Sequence, residues 1–269
     1  MSNYWQKREA EQRERYLSKS EKQISRKLRK MYAAAAEDIV KDMELLYLRI
    51  LEEGTETIPN NLYRYNRYYH LRQQMGNKLK ILGGKSIREM SKEAEQMYKW
   101  TSSKVLSSLG FEVKGNKELL LVAKSMWDNR SSWSQSVWCA DGLTVNGRVA
   151  RNMAQLQMTL EKGLQDCLAR GVPKDELVKT LMRKFDVSYS NADRLARTEL
   201  TYIQNQATKE SYIKAGVKQY EYFAELDERT SEECEEMNGQ VFDVANAVVG
   251  VNYPPLHPNC RCTVLAVID

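Results

Sequence analysis

Between residues 20 and 52, apolar side chains recur at steps of three and four: Ile24, Leu28, Met31, Ala35, Ile39, Met43, Leu46 and Ile50. At 3.6 residues per turn, all eight share one face of a helix and the charged residues between them take the other. A stripe this long suits neither a sheet nor a small disulfide-stapled fold. It predicts one long amphipathic helix that buries a single side. Similar spacing returns downstream. Residues 61–82, rich in Tyr and Arg, predict a helix ended by Gly83-Gly84. Ser86 then reads as the cap of another, with Glu89 at the capping-box position and Ile87, Met90, Ala94, Met97, Thr101 and Val105 as its stripe. Residues 116–139 predict one or two short helices in which Trp127, Trp133 and Trp138 serve the core. Val149, Met153, Leu156, Leu160, Leu164 and Leu168 mark a further helix, stopped at Gly171. Pro173 suits the first turn of a helix through Phe185, and Ser190 the cap of one that ends near Gly216.

After Gly216 the pattern changes. VKQYEYFAEL, GQVFDV and CTVLAVI are β-branched and aromatic, and read as three short strands. The expected fold is therefore mainly α. An extended helical N-terminal body (1–115) leads to a central helical region (116–215) and a small α+β C-terminal module (216–269). A chain of 269 residues can bury a core without disulfides. No apolar run approaches the ~18 residues of a membrane span. The opening MSNYWQKREAEQRERY lacks the apolar stretch of a secretory signal, so a soluble chain made in a cytoplasm is expected.

Charge divides unevenly along this plan. Residues 1–218 carry 39 Lys and Arg against 26 Asp and Glu, and residues 219–269 carry two against ten. A basic body with an acidic end can meet nucleic acid or an acidic protein surface; interleaved signs equally describe a solvated helical face. In and after YRYNRYY, the cations Arg64, Arg67, Arg72, Lys78 and Lys80 follow aromatic rings, a combination that suits nucleic acid. The plainer reading is an amphipathic helix with snorkelling cations.

The acidic end holds the informative chemistry. Three of the five Cys fall in the last 36 residues, and with His257 they make a donor set of Cys234, His257, Cys260 and Cys262. Three thiolates and one imidazole suit tetrahedral zinc, and four protein ligands close the site, which makes it structural rather than catalytic. Pro258 and Asn259 can turn His257 back toward the C-x-C pair, and Arg229 and Arg261 would favour thiolates. Two alternatives stand beside zinc: a disulfide from Cys234 to one of the pair, or three reduced thiols. His70 reads as a surface or packing residue, and Cys167 as core. Within Arg197-Thr198-Glu199, the structural reading is a buried Arg–Glu interaction that anchors the tail; the sharper one is a catalytic Glu. There is no Gly-rich phosphate loop, H-E-x-x-H or G-x-S-x-G.

Three blocks occur in order: RLARTELTYIQNQA at 194–207, LDERTSEECEEMNGQVF at 226–242 and PPLHPNCRC at 254–262. Together they resemble the minor head proteins of tailed bacteriophages, the head morphogenesis family that includes the Mu F-like proteins. The family pattern falls on Asp227, Thr230, Cys234, Gly239, His257, Cys260 and Cys262, with Arg197, Glu199 and Arg261 inside the matching blocks. Many relatives carry a further Cys near Ser231 or Cys234; here only Cys234 is available. The resemblance implies a non-enzymatic virion component, in few copies, that acts in capsid assembly. Its expected partners are portal, scaffold or major capsid protein and, non-specifically, double-stranded DNA. Its expected place is the phage head interior, after assembly in the host cytoplasm. The chain ends seven residues after Cys262, so no appended toxin or peptidase domain is expected. Two alternatives remain: a nuclease using His257 with Arg261, Glu199 or Asp227, and a host-directed effector delivered with the genome.

Overall fold

A computed structural model describes residues 2–52, 67–111, 115–129, 133, 136–139 and 141–268. Five helices come first: α1 (Ser2–Glu52), α2 (Arg67–Ser108), α3 (Asn116–Asp128), α4 (Val145–Arg170) and α5 (Lys174–Ala215). They lead to β1 (Gln219–Phe223), the short α6 (Glu232–Met237), β2 (Val241–Asp243) and β3 (Thr263–Val267). The chain is thus mainly helical with a small antiparallel sheet, ordered β2-β1-β3, at its C-terminal end. All three strands form where their β-branched and aromatic residues place them. Tyr220 in central β1 faces Phe242 on one side and Ala266 on the other. The first residues of the helix expected over 61–82, among them the candidate Arg64, lie outside the described residues.

Helix boundaries differ from expectation in two places. α2 runs straight through Gly83-Gly84, and Ser86 caps nothing: its buried hydroxyl donates to the Leu82 carbonyl one turn back, at 2.9 Å. α5 likewise passes through Ser190, whose hydroxyl donates to the Asp186 carbonyl at 2.9 Å. The α1 stripe also changes phase. Tyr32 and Ala36 are buried, where Met31 and Ala35 were expected, because the true repeat takes two successive steps of four after Leu28. The stripe also begins earlier, at Ala10, Arg13, Leu17 and Ser20.

The chain divides into two compact units. One comprises Arg26–Arg88 and Asn146–Asp193. There Gly83 explains the unbroken helix. A Cβ at this position would lie 3.1 Å from Met153 Cγ and 3.4 Å from Val149 Cγ1, so glycine lets α4 pack close to α2. A Cβ on Gly84 would meet nothing within 4 Å. Gly84→Ala is therefore expected to stabilise the fold by about 1 kcal/mol, while Gly83→Ala forfeits that gain in crowding Met153. Thermal melts of the two variants check the contrast. In this unit two of the basic candidates are held by acids. Lys78 Nζ lies 2.9 Å from Asp38 and 2.7 Å from Asp42, and Arg72 pairs with Glu161 at 3.0 Å. Lys80 is exposed and Arg67 half-buried.

The other unit comprises Met1–Ser25, Glu89–Val145 and Arg194–Asp269. Three of its tryptophans pack against or within the protein. Trp138 stacks on Tyr202 with ring centroids 4.7 Å apart, Trp127 tilts against Tyr98, and Trp133 is buried. Tyr212, Tyr220, Tyr253, Val264 and Ala266 with Val105 form the core on which the sheet rests. A second, smaller cluster joins Tyr222 and Ala224 to Cys234, Cys260 and Cys262.

Candidate metal centre

Two local structures present the donors. Ser231 caps α6 by accepting from the Cys234 amide at 3.3 Å, which sets Cys234 on the inward side of the first turn. His257 opens a turn closed by the Cys260 amide on the His257 carbonyl at 3.2 Å. Pro258 fills its second position and Asn259, with φ 63°, its third, the arrangement of a type II turn. Asn tolerates that left-handed backbone, and the turn reverses the imidazole toward the cysteines. Cys260 and Cys262 directly precede β3, and both are buried in the small cluster with Tyr222.

Cys234 Sγ lies 3.2 Å from His257 Nε2 and 3.8 Å from Cys260 Sγ. The three donor atoms all fall within 4.8 Å of one another and could hold a metal ion. Zinc–sulfur bonds of about 2.3 Å at tetrahedral angles require a sulfur–sulfur edge of about 3.8 Å, so the donor set fits this metal. The ring is set for ligation. His257 Nδ1 lies 2.9 Å from the Pro258 carbonyl, which can only accept. Nδ1 therefore donates to it, and Nε2 faces Cys234 Sγ and Ser231 Oγ, the latter at 2.9 Å. The Cys234 and Cys260 thiols lie within hydrogen-bonding reach of one another. Hydrogen bonds from Cys260 and Cys262 hold the Cys234 thiol far below its ordinary pKa, and the same bonds push Cys260 and Cys262 up. A divalent cation would take the place of the thiol protons.

The surrounding residues carry the loops rather than the chemistry. Asp227 accepts from the Arg261 guanidinium and, at 2.9 Å, from the Arg229 amide. The Arg261 bond holds its carboxyl well below the usual carboxylate range. This corrects one expectation: Arg261 and Arg229 meet Asp227, and the low pKa of Cys234 comes chiefly from its neighbouring thiols. Thr230 closes the same turn through its amide on the Asp227 carbonyl and its hydroxyl on Glu225. Gly239, at φ 79°, follows Asn238 at φ −61° in a second type II turn, and its amide donates to Tyr222 at 2.8 Å. A Cβ there meets nothing within 4 Å, so the cost of Gly239→Ala is all backbone. Urea denaturation is expected to show a loss of about 1–2 kcal/mol, smaller for Gly239→Asn.

α5 supports both arms of the ligand loop. Thr198 Oγ1 accepts from the Asn259 amide at 3.0 Å. Buried Asn205 donates to the Cys262 carbonyl at 3.0 Å and accepts from Thr263 Oγ1 at 3.1 Å, and its own carbonyl takes the Tyr253 hydroxyl at 2.7 Å. Glu199 is buried and receives the Trp138 indole at 3.2 Å, while Arg197 is half-buried on the same helix. The His257 ring nitrogens meet Ser231, Cys234 and Pro258, so the structure does not bring His257 together with Asp227, Glu199 or Arg261 as a hydrogen-bonded group.

Thr198, Asn205, Ser231 and above all Arg13 are contributors that motif reading passed over. Arg13 is completely buried. It donates to Thr208 Oγ1 at 3.0 Å, Thr263 Oγ1 at 2.8 Å and the Val264 carbonyl at 2.8 Å, and pairs with Glu9 at 2.9 Å. A signal for it existed. Continuing the α1 stripe backward from Ile24 in steps of four and three passes through Ser20 and Leu17 to Arg13, which puts a cation on an apolar face.

Residues 158–265 match the family described as Phage Mu protein F like protein. An uncharacterized protein of Haemophilus influenzae is 26% identical over 110 residues, which cover 41% of this chain and 25% of that protein. The match thus spans about a quarter of the relative's length. No solved structure matches the chain.

Proposed function

We propose that this chain, whose residues 158–265 carry the Phage Mu protein F like match, is a structural protein of phage head morphogenesis. It is a minor head protein in the virion, set near the portal, with portal, scaffold or major capsid protein as partners. One observation carries the reading. The matched segment contains the Cys/His centre together with the part of α5 that clamps it, so family signature and built site coincide.

Zinc holds Cys234, His257 and Cys260, with Cys262 as fourth ligand, and staples the C-terminal module. That role is structural. The His257 nitrogens are both engaged, and four protein donors leave no open position for a reacting water. The excess of cations over residues 1–218 supports non-specific association with packaged double-stranded DNA in the head interior. Cations already held by acids, such as Lys78 and Arg72, contribute less to it than exposed Lys80.

The test is quantitative mass spectrometry of purified heads, with head assembly scored when the chain is deleted. A few copies per head, and defective assembly without them, are the expected result. Absence from heads with normal assembly overturns the reading. Incubation of the purified chain with linear duplex, in a salt series with magnesium, adds a second arm. Salt-sensitive retention without cutting is expected, whereas cutting abolished by His257→Ala moves the chain to the enzymes.

A further inference from the structure

The metal centre and the N-terminal helix lie at opposite ends of the sequence, yet one buried side chain joins them. Arg13 reaches Thr263 and Val264, the two residues directly after Cys262. Asn205 grips the Cys262 carbonyl and the same Thr263 hydroxyl. Gln204, next to Asn205, donates to the Arg13 carbonyl at 2.7 Å, and Thr208, one helical turn on, accepts from the Arg13 guanidinium at 3.0 Å. A continuous chain of hydrogen bonds therefore runs from α1 through α5 to the backbone of Cys262, two residues beyond Cys260 of the three-donor group.

We propose that Arg13 is a positioning residue of the metal centre, and that metal binding and the docking of the first turns of α1 are thermodynamically linked. The argument rests on the metal reading given above. A fully buried guanidinium is tolerable only while its partners hold their places, because an unpaired buried charge is severely penalised. Those partners are the first residues of β3, and Cys260 and Cys262 lie just before them. When the cysteines are pinned by a cation, Thr263 and Val264 are presented to Arg13 in register. When the segment loosens, the guanidinium loses two of its three acceptors beyond Glu9. Linkage works equally in the other direction: docking of Arg13 pre-orders the Cys262 segment and tightens metal binding by the same factor. Outer partners of metal ligands typically change affinity by about 10–100-fold. The site thereby reports to a helix whose buried face carries Ala10, Leu17 and Ile24, and release of that helix would bare those side chains.

The test uses the full chain and zinc alone, with cobalt as the spectroscopic substitute. Hydrogen exchange of the amides of residues 10–24 is measured with and without zinc. Zinc is expected to slow exchange there by about 10–100-fold, and Arg13→Met to weaken zinc binding by a similar factor in competition with a chelator. The cobalt spectrum of Arg13→Met should keep its thiolate bands, because no ligand has been removed. Arg15→Met, on the exposed face of α1, should change neither quantity. Zinc that binds tightly while exchange at 10–24 stays unchanged overturns the linkage and leaves the metal reading standing. Failure of the unsubstituted chain to take up zinc overturns both. The exchange measurement needs no variant, so poor folding of Arg13→Met does not protect the proposal.

Discussion

Chelation of the purified chain is expected to melt residues 219–269 as a tertiary unit, with loss of the near-ultraviolet signal of Tyr220, Tyr222 and Tyr253. The regular structure of this segment is slight: five, three and five residues of strand, one α-helix of six and one 3-10 turn of three. Part of its core is the centre itself, since Cys234, Cys260 and Cys262 make up three of the five buried residues in the smaller cluster. Structural zinc contributes on the order of 10 kcal/mol to the folding of comparable small elements, more than this segment can replace with apolar burial. Cys260→Ser and His257→Ala should reproduce the effect of the chelator, while Cys139→Ser, outside the cluster, should leave melting unchanged. One metal equivalent per chain by mass spectrometry is the matching stoichiometry. A melting temperature indifferent to chelator, with all five thiols titrating as free, rejects the metal.

The second large effect is expected from Arg13→Ala, with a loss of about 3–5 kcal/mol in urea denaturation. Two penalties add. The truncation removes a fully buried side chain, and it leaves Thr208 Oγ1, Thr263 Oγ1 and the Val264 carbonyl short of a donor. Glu9 loses its partner at 2.9 Å as well, and its carboxylate is itself largely covered. Glu9→Gln should cost less, because the three other acceptors of Arg13 remain. Arg15→Ala, which faces solvent, should fall within about 0.5 kcal/mol of the unsubstituted chain. Equal losses for Arg13→Ala and Arg15→Ala would mean that the buried fork is not formed in solution.

Much of this was legible along the chain. Apolar spacing located the helices, because a helix repeats every 3.6 residues whatever it packs against. β-branched and aromatic runs located β1, β2 and β3 for the same local reason. Cys234, His257 and Cys260, the three donors that the structure brings within 4.8 Å of one another, were readable from side-chain chemistry, as was the Pro258-Asn259 turn that aims the imidazole; Cys262, read with them, falls outside that group and lies in the same buried cluster. Less legible was the meaning of Gly83-Gly84 and Ser190. The same residues that end isolated helices here allow a neighbour to approach or bond back one turn, and only the packing partner distinguishes the cases. The basic candidates show this too. Arg72 and Lys78 look alike to Lys80 in a list of charges, but their acids come from Glu161, Asp38 and Asp42 on other helices.

What the sequence determined by itself was therefore the local part: element type, turn chemistry and the inventory of side chains able to hold a metal. Tertiary structure decided which elements share a core and which polar groups find each other. Arg13 and Thr263 stand 250 residues apart, and Asn205 and Cys262 stand 57 apart. No periodicity spans such distances. A hydrogen bond of this kind exists only once the chain has folded, and the cost of burying its groups unpaired is what then makes it obligatory.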